Sequence, residues 1–120
     1  MPHILIVDDE PAITTLLSLA FARAGYDVTT AGTGFKAVTL LNSMVFDAVL
    51  SAAEMPLMDG HELVRWIVLN HPRIRCVLMS ALGIHCDGCP LLGRCVLLRK
   101  PFIPKEAVAL VAEILNKSPN

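Results

Sequence analysis

Residues 4–11 read Ile4-Leu5-Ile6-Val7-Asp8-Asp9-Glu10-Pro11, four branched apolar side chains running into three acids and a proline. An uninterrupted apolar run of this kind predicts a strand at 3–7 covered on both faces. Pro11 has no amide to offer and a fixed φ, which suits the first turn of a helix. Ile13, Leu16, Leu17, Ala20 and Phe21 then recur at helical spacing, and Gly25 supplies a left-handed stop. The chain therefore opens as a strand followed by a helix over 11–24, with Asp9 or Glu10 placed to accept from its first unpaired amides.

The same alternation continues outward. Strands are expected at 27–31, 46–51, 75–79 and 96–99, and helices at 34–43, 61–70 and 104–116. A turn containing Pro56 and Gly60 precedes the third helix, Pro72 ends it, and the last helix carries Ala107, Leu110, Val111, Ile114 and Leu115 on one stripe. This βα alternation predicts an α/β fold, an open, doubly wound five-stranded parallel sheet with its ligand site beyond the carboxyl ends of the strands. Asp8, Asp9, Ala52, Ser80 and Lys100 all fall at those ends.

A length of 120 residues accommodates one domain, 1–120, without an output domain beside it. At 54% hydrophobic and 18% charged, the chain has enough apolar material to cover both sheet faces. A net charge of -1, with no dense basic block, argues against nucleic acid as a ligand. No apolar run approaches the roughly 20 residues needed to cross a bilayer, and Met1-Pro2-His3 lacks the basic start of a signal peptide. A cytoplasmic location without membrane contact is expected, where four cysteines are not permanent disulfide staples.

Taken together, ILIVDDEP at 4–11, MPLMDG at 55–60, the Ser80-Ala81 pair after a hydrophobic strand and KPF at 100–102 resemble the receiver domain of two-component response regulators. The likeness spans nearly the whole chain and implies a flavodoxin-like sheet of strand order 2-1-3-4-5. It also implies roles. The family's two acids at the first strand end help bind Mg²⁺, an Asp ending the third strand takes a phosphoryl group, a Ser or Thr binds that group and a Lys pairs with it. Here those positions are Asp8, Asp9, Ala52, Ser80 and Lys100.

Ala52 breaks the pattern. Counting back four residues from Pro56 reaches a methyl group, which cannot form an acyl phosphate, and neither Ser51 nor Ala53 offers a carboxylate. Ser51 points to the opposite strand face, and Asp47, about 16 Å upstream along an extended strand, is out of reach. Glu54 hangs nearest the pocket as a surrogate. The expectation is a degenerate pocket, with Mg²⁺ weak or absent at Asp8 and Asp9, and with Lys100 ion-paired to one of those acids instead of to a phosphoryl group. Simple helix capping by the acids is the blander account of Asp8 and Asp9.

The resemblance makes the segment after Ser80 the family's fourth helix, expected here to be shortened or irregular because Ala-Leu-Gly-Ile-His-Cys-Asp-Gly-Cys-Pro carries helix breakers. A short turn near Pro90 is the most that survives. The family's switch positions fall on Ser80 and on Leu97, where an aromatic residue is usual, so the rotamer switch is expected to be absent.

Cys86, Cys89 and Cys95 form C-x2-C-x5-C, whose first pair has the spacing of two thiolates on one tetrahedral ion, and His61 is the nearest candidate for a fourth ligand. Zn²⁺, an Fe-S cluster, a reversible disulfide and inert loop thiols all fit. Cys76, about 13 Å before Ser80, reads as a buried small hydrophobe. Trp66 with Leu63 and Ile67 reads as helix packing, and His3 and His71 as surface residues.

The leading functional expectation is a non-enzymatic pseudo-receiver acting in phosphorelay signalling through a protein partner, whether a histidine kinase, a phosphotransfer protein or an output protein, with a homodimer allowed. A metal or redox sensor built on the cysteine loop is the alternative. A phosphohydrolase with Asp8 as nucleophile ranks third.

Overall fold

In the computed structural model, which describes residues 1–81 and 95–116, five strands form one wholly parallel sheet of order β2-β1-β3-β4-β5. The strands are β1 (His3–Val7), β2 (Asp27–Ala31), β3 (Ala48–Ala52), β4 (Arg75–Ser80) and β5 (Cys95–Arg99). The helices are α1 (Pro11–Arg23), α2 (Gly34–Ser43), α3 (Gly60–Asn70) and α4 (Pro104–Leu115). Helix α1 packs on α4 and α2 on α3, which places one pair on each face of the sheet. The expected α/β architecture and strand order are therefore present. The family's fourth helix lies outside the described residues.

Burial follows strand position. All of β3 is buried, as are β1 beyond His3 and β4 beyond Arg75, because helices cover both faces of these central strands. The edge strands β2 and β5 are only partly covered. Ile4, Leu5, Ile6, Val49, Leu50, Val77 and Leu78 form the sheet's contribution to a core completed by Leu17, Phe21, Leu63, Ile67 and Val111 from the helices.

Local signals explain most of the helix boundaries. Thr33 caps α2 by accepting from the Lys36 amide at 3.1 Å. Asp59 caps α3 by accepting from the Glu62 amide at 2.9 Å, and Glu62 returns to the Asp59 amide. Gly25, at φ 96°, ends the turn after α1. The start of α1 differs from expectation. Neither Asp9 nor Glu10 caps it through a side chain; the Glu10 amide donates instead to Asp8 Oδ1 at 3.0 Å.

Strand β3 begins two residues later than the apolar pattern predicts, because Phe46 and Asp47 are engaged by His3. Asp47 Oδ2 accepts from the His3 amide at 2.7 Å, and the Phe46 and His3 rings lie 4.3 Å apart. The imidazole Nδ1 donates to the Val45 carbonyl at 3.0 Å, and Nε2 meets Thr29 Oγ1 at 2.7 Å. His3 is thus no indifferent surface residue. It joins β1, β2 and the lead into β3 at the amino-terminal edge of the sheet. His71 is also partly buried, with its ring 5.3 Å from that of Trp66.

Candidate functional site

Parallel strands deliver their carboxyl ends to one rim, so residues far apart in sequence meet there. Asp8 follows β1, Ala52 ends β3, Ser80 ends β4 and Lys100 follows β5. Backbone bonds fix the rim. The Asp8 amide donates to the Ala31 carbonyl at 3.1 Å, the Ala53 amide to Met79 at 2.8 Å and the Lys100 amide to Ser80 at 2.8 Å. The Lys100-Pro101 bond is cis.

Asp8 is 2% exposed, and its Oδ2 lies 3.4 Å from Lys100 Nζ. Removing a carboxylate from water is costly unless a counter-charge and donors replace the solvent. Here Lys100 supplies the charge and the Glu10 amide a hydrogen bond to the other oxygen. Asp9, by contrast, is exposed. The two adjacent acids therefore stand in different settings, Asp8 buried beside Lys100 and Asp9 facing solvent.

Ala52 and Ala53, 2% and 1% exposed, present methyl groups where β3 ends. Ser51 is fully buried, and its hydroxyl donates to the Ala52 carbonyl at 3.0 Å. Gly60, the first residue of α3, is pressed against this same backbone. A Cβ there would collide with the Ala52 carbonyl oxygen and would sit 2.7 Å from Leu78 Cδ2 and 2.8 Å from Ala53 Cα. Asp47, at the amino-terminal edge, is far from this rim and tied to His3.

Glu54 belongs to the rim. Its side chain is exposed, yet Oε2 accepts a hydrogen bond from Ser80 Oγ at 2.9 Å. The sequence placed Glu54 near the pocket but gave no sign of this contact, which spans 26 positions and depends on the ends of β3 and β4 being adjacent. Leu97, in the edge strand β5, is 40% exposed.

The carboxylates that this rim carries are Asp8, Asp9 and Glu54. Mg²⁺ demands near-octahedral oxygen coordination, whereas Asp8 is committed to Lys100 and Ala52 contributes no side-chain oxygen. Among the described residues no group of three or more His, Cys, Asp or Glu side chains could hold a metal ion. Cys86 and Cys89 lie outside the described residues. Cys95 opens β5 instead of preceding it and stands in register with Cys76 of β4, so these two cysteines, expected to be apart, lie at the start of neighbouring strands. His61 lies one residue into α3, in a groove with Glu54, Met55 and Asp59. A cleft of about 550 Å³ opens at the amino-terminal edge, lined in part by Met44, Val45, His71 and Arg73, away from all the rim residues. Among the described residues no helix is long and apolar enough to cross a membrane.

Comparison with known proteins bears on this arrangement. The chain belongs to the response regulator receiver domain family, whose model matches residues 4–112. It is 35% identical over 116 residues to the DNA-binding transcriptional regulator NtrC of Escherichia coli, covering 92% of this chain and 24% of NtrC. The alkaline phosphatase synthesis transcriptional regulatory protein PhoP of Bacillus subtilis is 33% identical over 118 residues, covering 96% of this chain and 49% of PhoP. The chain thus spans at most about half the length of these curated relatives. Among solved structures, the chemotaxis protein CheY4 of Vibrio cholerae superposes with a TM-score of 0.87 at 25% identity, covering 95% of this chain and 98% of CheY4.

Proposed function

We propose that this receiver domain, read as one unit over 1–120, serves two-component signalling as a protein-binding module whose acceptor position takes no phosphoryl group. The observation that supports the reading is Ala52: a buried methyl group ends β3, four residues before Pro56, the position that the resemblance assigns to the acceptor carboxylate. Acyl phosphate formation needs a carboxylate oxygen as nucleophile, and a methyl group has no lone pair to give. Asp8 and Lys100 support the reading from the other side of the pocket. The ammonium that would offset phosphoryl charge is matched to a resident acid.

Receiver domains exchange signals with histidine kinases and output proteins, and such proteins are the partners proposed here. NtrC, the reported relative whose name mentions DNA, is a much longer chain. This domain's net charge of -1 favours a protein partner over nucleic acid. Binding is then set by the fold itself, with Mg²⁺ at Asp8 and Asp9 weak or absent, no cofactor required and a cytoplasmic location.

Incubation with a small acyl phosphate and Mg²⁺, followed by intact-mass measurement, tests the proposal. The expected result is an unchanged mass. A stoichiometric phosphoryl adduct on Glu54, Ser80 or any Asp would overturn it.

A further inference from the structure

Glu54 is a residue that the reading above leaves without a task, and its side chain is bonded to the hydroxyl at the end of β4. We propose that Glu54 is the resident occupant of the Ser80 hydroxyl, a carboxylate built into the chain that competes with any incoming oxyanion at the rim. The inference deepens the proposed function and rests on its alignment of Ala52 with the acceptor position.

Geometry carries the argument. Ser80 is 3% exposed and held at the end of β4, where its carbonyl accepts from the Lys100 amide. Glu54 follows Ala53, whose amide donates to Met79 at 2.8 Å and whose carbonyl accepts from Gly60 at 2.9 Å. Both backbones are therefore fixed, and the 2.9 Å contact between Ser80 Oγ and Glu54 Oε2 joins two anchored points. A hydroxyl has one proton to donate. While it is given to Glu54, an arriving phosphoryl oxygen must displace that carboxylate to reach it, and must do so against a like charge. Lys100, the rim cation that follows β5, is engaged with Asp8. Exposure of Glu54 makes the occupancy reversible: the side chain can swing into water with its charge solvated.

Restoring an acceptor reveals the competition. In an Ala52→Asp background, the introduced carboxylate oxygen forms a bond to phosphorus as the bond from phosphorus to the acyl oxygen of a small acyl phosphate breaks, and the donor leaves as its carboxylate. Intact-mass time courses with Mg²⁺ are compared for Ala52→Asp, Ala52→Asp/Glu54→Gln and Ala52→Asp/Glu54→Ala. Removing a competing charge-assisted hydrogen bond raises the initial rate roughly tenfold in the Glu54→Ala double variant. The Glu54→Gln double variant, which keeps the acceptor oxygen and loses the charge, falls between. Equal rates in all three overturn the inference while leaving the proposed function intact, whereas an adduct on the unmodified chain overturns the proposed function itself.

The buried site at 52 can reject a new acid, so a second measurement avoids it. Inorganic phosphate is titrated into the unmodified protein and Glu54→Ala while the Ser80 backbone amide resonance is followed. A saturable shift confined to Glu54→Ala supports the inference. Equal shifts in both proteins, or none in Glu54→Ala, overturn it.

Discussion

Asp8 and Glu54 are both carboxylates on the same rim, Asp8 paired with Lys100 across two intervening strands and Glu54 bonded to Ser80 on the adjacent one, yet Asp8 is 2% exposed and Glu54 stands in solvent. The difference sets what each bond can do. A buried carboxylate needs its counter-charge at all times, since losing it strands an anion away from water. An exposed one exchanges its partner for water at small cost. One half of the pocket is therefore structural and the other exchangeable, although both use the same functional group.

The most severe test of this contrast removes the partner on the buried side. Lys100→Met should lower unfolding free energy by about 3 kcal/mol in urea titrations; the partial exposure of Lys100 keeps the loss at the low end for breaking a buried pair. Adding Asp8→Asn should recover most of that loss, because the stranded charge disappears with it. If the single variant is as stable as the parent, the buried half of the contrast is wrong. Next in size is Gly60→Ala, for which the α3 terminus must move off the Ala52 carbonyl. Overpacking of this kind should cost about 2 kcal/mol, read as a lowered thermal midpoint. Ser80→Ala leaves Glu54 to water and strands no charge, so a loss of about 1 kcal/mol is expected on the same denaturation curve. Smallest of all, Glu54→Ala should change stability by less than about 0.5 kcal/mol. A cost matching that of Lys100→Met would place Glu54 among the structural residues.

Much of this arrangement is legible in sequence, for reasons that differ by region. The central strands announce themselves because helices on both faces demand unbroken apolar runs, as in Ile4 to Val7. Capping is legible at α3, where Asp59 and Glu62 stand three apart, but misleading at α1. There Asp8 turns inward to accept from the Glu10 amide, and the Ile13 and Thr14 amides go to the Glu10 carbonyl instead of to an Asp9 or Glu10 side chain. MPLMDG, read as a family motif, is the ground on which the proposed function takes Ala52 as the acceptor position. His3 escapes notice because its partners Thr29, Val45 and Asp47 lie 26 to 44 positions away and no local pattern encodes them. Glu54 is hidden for the same reason: sequence names its loop, while the adjacency of β3 and β4 supplies its partner. Cys95 shows the limit of spacing rules, since a residue counted as part of a loop motif is the first residue of a strand.

The bond from Lys100 to Asp8 joins positions 92 residues apart. Closing so long a segment carries an entropic toll that short-range contacts avoid, so this link is expected to form late, after β5 has docked on β4. Its removal should accordingly hasten unfolding and leave the refolding rate nearly untouched, an asymmetry that the two arms of a chevron plot for Lys100→Met would display. The pair would then act as a kinetic clasp, governing how long the domain persists once formed more than how quickly it forms.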